Sequence, residues 1–335
     1  MNLIQHANQL AARGRKSCLA IGVFDGVHLG HQQIIRQTIA DARQHNALAV
    51  VVTFDRHPSA IVAPDRVPPL IYSQPQKVRS IESLGTDALL VVRFDEDFSR
   101  QTGEQFIRSL ARDLGGIQSI CVGADFVFGH KRSGTVALLK TLGAELGFKV
   151  HGHAAVALDG QTVSSTRIRE AIRADDFDAA SQMLGRAYSV AGKIIHGDQL
   201  GHKLGFPTAN LDTTGMILPT NGVYAAQAIL SSGTGVSPVF PRETGRAHTS
   251  AEDRRDASPT TAHRAVLNIG CRPTVANPTP HIRVEVHLLD FSGDIYGQEL
   301  EIVFAGKLRD EQKFSSLDAL REQIQRDIAS ARKLF

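Results

Sequence analysis

The fold is decided by residues 18–31, which read Cys18-Leu19-Ala20-Ile21-Gly22-Val23-Phe24-Asp25-Gly26-Val27-His28-Leu29-Gly30-His31. The first residues form a short apolar run typical of a buried strand, and a glycine-rich turn follows them. Apolar residues then recur at helical spacing as far as about His45, so a helix begins beside the two histidines. A strand, a tight turn and a helix N-terminus together indicate a nucleotide-phosphate site, because the free N–H groups of the first helical turn point at the ligand.

His28 and His31 are three residues apart and are predicted to share one face of that first turn. The turn lacks the Gly-Lys-Ser/Thr of a Walker loop, so positive charge would come from imidazolium groups. Gly22, Gly26 and Gly30 would let the backbone approach a ligand closely. Taken alone, the same spacing also fits surface histidines or metal ligands.

Strand-like and helix-like segments alternate as far as residue 187. Apolar runs at 48–54, 88–94 and 119–123 have the composition of strands buried in a parallel sheet, and residues 103–114 and 136–146 have helical periodicity. The alternation predicts a doubly wound, Rossmann-like α/β domain over residues 1–187, with its ligands at the carboxyl ends of the strands.

From Tyr188 onward strands dominate. Residues 281–289 alternate cleanly between apolar and polar side chains, and several such strands joined by Gly and Pro turns predict a closed Greek-key β-barrel over residues 188–335. Residues 316–334 supply a C-terminal helix. Its inner stripe is predicted to consist of Leu317, Leu320, Ile324 and Ile328.

Residues 231–263 interrupt the barrel pattern. They are rich in Ser, Thr, Gly, Pro and charged residues and contain few large apolar side chains. Such a composition cannot bury enough surface to order itself, so we expect a disordered insertion between two strands. A partner-binding segment is the alternative, although helical and strand periodicity are both lacking.

Three later segments extend the opening pattern along the first half. They are Thr53-Phe54-Asp55-Arg56-His57-Pro58, Val122-Gly123-Ala124-Asp125-Phe126-Val127-Phe128-Gly129 with Arg132 and Gly134, and Ser164-Ser165-Thr166-Arg167-Ile168-Arg169. Together with residues 22–31 they occur in the order found in the bifunctional prokaryotic riboflavin kinase/FAD synthetase family, which the chain resembles. Arg56 departs from the pattern, since the family has a proline there.

For residues 1–187 the resemblance implies an FMN adenylyltransferase (FAD synthetase) domain. It implies that His28, His31 and Arg169 are catalytic and that Phe54 and Asp55 contact the flavin. It further implies ATP contacts from Gly22, Phe24, Asp25, Gly26, Gly30, Asp125, Arg132, Ser165 and Thr166. Adenylyl transfer to a phosphate needs no general base, because the nucleophile is already an anion and needs only positioning and charge stabilisation.

The second half contains a segment similar to the riboflavin kinase loop of the same family, Gly201-His202-Lys203-Leu204-Gly205-Phe206-Pro207-Thr208-Ala209-Asn210-Leu211, with His202 where arginine is usual. The resemblance implies a kinase ATP site at Gly201, Lys203, Gly205, Pro207 and Thr208, Mg²⁺ ligands at Thr208 and Asn210, and flavin contacts at Asn268 and Arg309. Ordinary turn hydrogen bonding is the alternative for Thr208 and Asn210.

Kinase chemistry attacks ATP with a neutral ribityl hydroxyl, which must lose its proton to a nearby base. Glu285, on the polar face of its strand, is the candidate that the resemblance favours. By alternation alone, Glu285 also fits a solvated charge on the outside of the barrel.

The implied function is flavin cofactor synthesis, in which riboflavin is phosphorylated to FMN and FMN is adenylylated to FAD with ATP and Mg²⁺. A nucleotidyltransferase for another small phosphate substrate and a non-catalytic flavin-binding regulator are the alternatives. The departures at Arg56 and His202 put the efficiency of each half in question.

Composition agrees with an enzyme acting on small molecules. The net charge is only +3, with Lys and Arg scattered along the chain, so flavins and ATP are expected partners and nucleic acid is not. The three cysteines have neither zinc nor disulfide spacing. Neither a signal peptide nor a membrane span is recognisable, which predicts the cytoplasm. The sequence leaves open whether the protein is a monomer or a weak homo-oligomer.

Overall fold

The structure is a computed structural model that describes residues 1–11, 14–196, 205–230, 262–274 and 277–335. The chain divides into two compact units, Met1–Pro69 with Gln74–Ser165, and Leu70–Ser73 with Thr166–Phe335. Gly201, Lys203 and the predicted insertion as far as residue 261 lie outside the described residues. Within the described ranges, no helix is long and apolar enough to cross a membrane.

The first unit is built on a parallel sheet. Its strands in chain order are β1 (Asn2–Ile4), β2 (Ser17–Ile21), β3 (Leu48–Phe54), β4 (Ala88–Val92), β5 (Ile117–Gly123), β6 (Val127–Phe128), β7 (Gly134–Thr135), β8 (Lys149–His153), β9 (Ala157–Leu158) and β10 (Gln161–Thr162). Six of them form one sheet in the order β1-β4-β3-β2-β5-β8, with every neighbouring pair parallel. The pairs β6–β7 and β9–β10 are short antiparallel hairpins.

Helices connect the strands of this sheet. They are α1 (Asn8–Ala11), α2 (Leu29–Gln44), α3 (Ser59–Val62), α4 (Gln74–Glu82), α5 (Glu96–Ser99), α6 (Gly103–Asp113) and α7 (Val136–Leu146). Helix α8 (Ser165–Arg173) follows, and all of it except Ser165 belongs to the second unit. Helix α7 and strand β3 begin and end at the residues predicted from the sequence. Helices α2 and α6 end within one residue of their predicted ends.

Both faces of the parallel sheet are buried, which explains its uninterrupted apolar strands. Along β2, Leu19 and Ile21 face a core that includes residues of α6 and α7. Cys18 and Ala20 face the opposite core, which includes residues of α2 and α4. The side chains of one strand therefore enter two separate cores, and polar positions are displaced to the strand ends, where a ligand site can form.

The second unit is a closed antiparallel barrel. Its strands are β11 (Ser189–Ile195), β12 (Ala209–Leu211), β13 (Gly222–Leu230), β14 (Ala262–Thr274), β15 (Asn277–Leu288) and β16 (Glu299–Asp310), and its other helices are α9 (Phe177–Leu184) and α10 (Leu317–Lys333). The six strands close into a barrel in the order β11-β12-β15-β14-β13-β16. The prediction of an α/β domain followed by a barrel and a terminal helix is therefore confirmed.

Two details of the second unit differ from expectation. Ala262 and His263 pair with Ile229 and Ala228, so the last two residues of the predicted insertion belong to β14. Leu317 was expected on the inner stripe of α10 but is 60% exposed, because the helix packs on the barrel mainly through its second half.

Candidate functional sites

The loop between β2 and α2 has an unusual backbone. Phe24 has φ 52° and Val27 has φ 41°, both in the left-handed region that side chains rarely adopt. Val27 is β-branched and wholly buried, so its conformation is costly, by roughly 1–3 kcal/mol. Such strain persists only where surrounding contacts impose it, and it concentrates at functional sites.

The motif glycines make room for aromatic rings of the same loop. A Cβ on Gly22 would lie 3.0 Å from the Phe24 ring, and a Cβ on Gly30 would lie 3.2 Å from the His28 ring. Besides the predicted approach of a ligand, these two glycines therefore make room for side chains of the loop itself. They allow Phe24 and His28 to fold back over the loop, and both of these residues are buried.

His28 is the N-cap of α2. Its Nδ1 accepts the backbone N–H of His31 at 3.4 Å, and the two imidazole rings stack with their centroids 3.6 Å apart. An accepting Nδ1 leaves Nε2 as the ring nitrogen of His28 that can donate. The ring of Phe24 packs edge-on against His31, with centroids 5.2 Å apart.

Two side-chain hydroxyls anchor this loop within the first unit. Thr53, at the end of β3, donates to the carbonyl of Val23 at 3.0 Å, and Ser165 donates to the carbonyl of Asp25 at 3.1 Å. The structure thus brings together Asp25 and Ser165, both predicted as ATP contacts from motifs far apart in sequence. Asp25 is 5% exposed.

Phe54 and Asp55 follow the carboxyl end of β3. The Phe54 ring packs edge-on against Phe94 with centroids 5.4 Å apart. The Asp55 carboxylate accepts the Phe94 backbone N–H at 2.9 Å and pairs with Arg56 at 3.0 Å. Burial acts to raise the pKa of Asp55, but the hydrogen bonds from Phe94 and Arg56 outweigh it and lower that pKa. Arg56, the departure from the family pattern, thus forms an ion pair with a predicted flavin contact.

The remaining predicted residues of this site lie on a hairpin and on α8. Asp125 follows β5 and is exposed, and Arg132 lies in the exposed turn between β6 and β7 with φ 60°. Thr166 is exposed on α8, whereas Arg169, one turn later, is only 8% exposed. These two α8 residues belong to the second unit, so their roles stay predictions.

One charged residue of the first unit was missed. Lys77 on α4 is 7% exposed, and its Nζ donates to the carbonyl of Phe54 at 3.0 Å and to Thr53 Oγ1 at 3.4 Å. A lysine in a helical segment is usually a surface cation, so the sequence carried no signal for its burial. Only the fold brings it to the end of β3.

The kinase candidates line up across the outer face of the barrel. Asn210 on β12 is paired with Glu285 on β15, and Glu285 is paired with Asn268 on β14. Directly opposed residues of antiparallel strands share a face, with Cβ atoms about 5 Å apart. The register therefore brings together one predicted Mg²⁺ ligand, the predicted base and one predicted flavin contact. Glu285 is half-buried.

The loop before β12 is held beside this row of polar residues. His287 Nδ1 lies 2.8 Å from the carbonyl oxygen of Pro207, and its ring packs edge-on against Phe206 at 5.9 Å. His287 is two residues after Glu285 and therefore lies on the same face of β15. The contact fixes Thr208 close to Asn210, whereas Gly205 is an exposed residue with φ 85°.

Arg309 takes part in a different interaction. Its guanidinium donates to both carboxylate oxygens of Asp327 on α10, at 3.0 and 2.8 Å, and Gln323 donates to the same carboxylate at 2.8 Å. The register separates Arg309 from Asn268 by Val223. Its flavin contact therefore stays a prediction, whereas its ion pair with Asp327 joins β16 to the terminal helix.

The donor set at Thr208 and Asn210 suits Mg²⁺. One hydroxyl and one amide oxygen two residues apart are hard ligands, and they leave most positions of an octahedral ion for phosphate and water, which is how Mg²⁺ usually binds. Asn210 also borders an open cavity of about 610 Å³. Polar residues of its wall include His196, Asp212, Thr214 and Arg283.

The first unit has a loop typical of nucleotide sites between β2 and α2, and the barrel has a polar row formed by Asn210, Glu285 and Asn268. These features are typical of an enzyme of nucleotide and phosphate chemistry. The FAD synthetase family matches residues 10–167, and the riboflavin kinase family matches residues 184–335. The chain is 34% identical to the bifunctional riboflavin kinase/FMN adenylyltransferase of Escherichia coli K12, over 100% of this chain and 98% of that protein. It is 35% identical to the Haemophilus influenzae protein of the same name, over 95% and 94%.

The chain therefore belongs to the bifunctional riboflavin kinase/FMN adenylyltransferase family, which confirms the predicted family and its enzymatic function. ATP, Mg²⁺ and flavins fit this membership, and the alternative of a nucleotidyltransferase alone does not account for the kinase match. Among solved structures, one from Streptococcus pneumoniae titled a macrolide-efflux protein is similar over 98% of both chains, with a TM-score of 0.75 and 25% identity.

Proposed function

We propose that the two reactions of this family run at two separate sites of the chain. FMN adenylylation uses the loop between β2 and α2, and riboflavin phosphorylation uses the polar row on the barrel. The main support for the proposal is the strand register, which aligns Asn210, Glu285 and Asn268 on one surface. A predicted Mg²⁺ ligand, the predicted base and a predicted flavin contact are thus neighbours.

In the adenylylation site, His28 and His31 are the proposed catalytic groups. His28 Nε2–H would donate to the charge that develops on the triphosphate as pyrophosphate leaves, and the N-terminus of α2 adds backbone donors beside it. Arg169 and Thr166 are proposed to contribute further donors to the phosphates. Phe54 and Asp55 are proposed to receive the flavin and its phosphate chain.

In the kinase site, Glu285 is the proposed general base for the ribityl hydroxyl of riboflavin. Thr208 and Asn210 would hold Mg²⁺, which when bound neutralises charge on the ATP phosphates. Asn268, on the other side of Glu285, is proposed to orient the flavin. Gly201, Lys203, Gly205, Pro207 and Thr208 are proposed to bind ATP.

We keep residues 1–187 and 188–335 as the proposed limits of the two catalytic domains. The enzyme is proposed to work in the cytoplasm, because both reactions consume ATP. We further propose a monomer or a weakly associating homo-oligomer, which sedimentation at several protein concentrations distinguishes. Nucleic acid and membranes are not proposed as partners.

Purified protein incubated with riboflavin, ATP and Mg²⁺ tests the function directly, with flavins followed by chromatography. FMN should appear first and FAD later, whereas a sample with a Mg²⁺ chelator should yield neither. In a second reaction started from FMN, FAD and pyrophosphate should form in equal amounts. Formation of neither FMN nor FAD from riboflavin would contradict the proposal.

A further inference from the structure

Lys77 is a buried cation in the described part of the first unit, and neither of the two proposed reactions uses it. Its helix, α4, packs against the turn Asp25–Val27 of the nucleotide loop. The lysine is 7% exposed, and its Nζ donates to the Phe54 carbonyl at 3.0 Å. A buried ammonium is retained only where nearby partners compensate for its lost hydration.

A continuous set of hydrogen bonds runs from Lys77 to the nucleotide loop. Nζ donates to Thr53 Oγ1 at 3.4 Å, and the same hydroxyl donates to the Val23 carbonyl at 3.0 Å. Thr53 is wholly buried, so water does not substitute for either partner. Lys77 thus orients the hydroxyl that holds the loop in its strained shape.

Charge gives Lys77 a second effect. The carboxylates of Asp25 and Asp55 are both close enough to favour its charged form. Without a cation between them, these two carboxylates would create a negative potential where two anions, ATP and the FMN phosphate, must meet. The ammonium lowers that repulsion.

We propose that Lys77 is a positioning residue for FMN adenylylation, which holds the nucleotide loop through Thr53 and offsets the charges of Asp25 and Asp55. This inference rests on the proposed adenylylation site. It concerns the binding and alignment of two phosphate-bearing substrates, and it predicts no effect on riboflavin phosphorylation.

The pH dependence of adenylylation distinguishes this role from a purely structural one. A lysine that only packs against its neighbours would not change the rate when it loses its proton. Burial lowers the pKa of Lys77 to about 8, while Asp25 from the turn and Asp55 from the end of β3 act to raise it. Arg56, paired with Asp55, is a further charged group at this end of β3, and Asp95 is close enough to Arg56 to favour its charged form. Because the cation is lost as the pH rises through about 8, adenylylation should decline there in the wild type.

The test uses the full-length protein with FMN or riboflavin as substrate. Lys77→Met keeps the length of the side chain and removes its charge, and Lys77→Arg keeps the charge. Lys140→Met, at an exposed position of α7, is the matched control. We expect kcat/KM for FMN to fall at least tenfold in Lys77→Met, with partial recovery in Lys77→Arg. The decline above pH 8 should disappear in Lys77→Met, and the riboflavin kinase rate should stay within twofold.

Unchanged adenylylation with an unchanged pH profile in Lys77→Met would overturn the inference, and so would a wild-type profile that is flat from pH 7 to 9. If Lys77→Met does not fold, Thr53→Val removes the same link to Val23 while keeping side-chain volume, and a wild-type rate in that variant would also overturn it. Absence of FAD formation in the wild type would contradict the proposed function instead, so the two failures are distinguishable.

Discussion

His28 and His31 support each other at the start of α2: the Nδ1 of the first accepts the backbone N–H of the second, and their rings are stacked. The first histidine therefore has a structural role as N-cap in addition to its proposed chemical role. A substitution at this position consequently changes both helix stability and chemistry, and the two effects need separate variants.

The double variant His28→Ala, His31→Ala should lose FAD formation while FMN accumulates. Loss of a preorganised donor costs about 3 kcal/mol in transition-state stabilisation, or on the order of a hundredfold in rate for each imidazole. Chromatography of flavins formed from riboflavin measures both products together. His45→Ala, exposed beyond the end of the same helix, is the matched control. Loss of both products from a folded double variant would argue against two independent sites.

His28→Asn separates the cap from the chemistry. Asparagine retains a side-chain acceptor for the His31 N–H, so its stability should remain near that of the wild type, whereas His28→Ala should lose about 1 kcal/mol. Neither variant has an imidazole at this position, so both should be defective in adenylylation. Urea unfolding together with FAD assays on the two variants checks this, and an active His28→Asn would show that capping is the main role of His28.

Much of the fold was accessible from local sequence patterns. The apolar run of β3 and the helical spacing of α7 specify their own bounds, because burial on one or both faces dictates these patterns. Strand register is different, since it depends on contacts between segments far apart in sequence. Periodicity therefore placed Glu285 on a polar face but did not reveal that Asn210 and Asn268 flank it.

Glu285→Gln should abolish riboflavin phosphorylation and leave the adenylylation of added FMN at its normal rate. Glutamine keeps the shape of the side chain but cannot accept the hydroxyl proton. The two half-reactions are assayed separately, with riboflavin or FMN as the starting flavin. Glu322→Gln on the exposed face of α10 removes an equal charge and should affect neither reaction. A normal kinase rate in Glu285→Gln would reduce Glu285 to a solvated surface charge.

Arg309→Met should destabilise the second unit. It leaves the Asp327 carboxylate, which is 5% exposed, without its main cation, a change that typically costs about 3 kcal/mol or more. Replacing both partners, as in Arg309→Met with Asp327→Leu, removes the uncompensated charge and should restore most of the stability. Urea unfolding of the three proteins measures these differences.

The same pair tests the flavin role implied for Arg309. If the guanidinium acts only by holding α10, the stabilised double variant should phosphorylate riboflavin at nearly the wild-type rate. A stable double variant with a greatly raised KM for riboflavin would instead support the predicted flavin contact. The sequence did not predict this partner, because Asp327 lies 18 residues later on a helix whose packing against the barrel is not specified by periodicity.

Cys18 and Cys121 should be unreactive in the folded protein. Burial raises the pKa of both thiols, that of Cys121 to about 12, so at pH 8 its thiolate fraction is on the order of one in ten thousand. Alkylation with iodoacetamide followed by peptide mass spectrometry should leave both residues unmodified in buffer and modify both in guanidinium chloride. Rapid modification of the native protein would contradict their placement in the sheet.

The limits of the barrel unit matter for any fragment of this enzyme. On α9 the Phe177 ring stacks against Phe304 with centroids 4.9 Å apart. Just before this helix, the Asp175 carboxylate accepts hydrogen bonds from Lys307 and from the hydroxyl of Tyr224, both at 2.9 Å. These contacts lie within the second unit, which explains why its packing begins at Thr166, before the boundary predicted from strand content.

A fragment of residues 166–335 should therefore be more stable than one of residues 188–335. The shorter fragment exposes the surface that Phe177 covers and removes one of the acceptors of Lys307 and of Tyr224, which together should cost about 3 kcal/mol or more. Urea unfolding followed by circular dichroism compares the two fragments, and Phe177→Ala in the longer one should account for a large part of the difference. Both fragments retain Glu285 and Asn210, so the longer one should phosphorylate riboflavin over a wider range of urea concentrations. Equal unfolding midpoints for the two fragments would show that the helices before Tyr188 contribute nothing to the barrel.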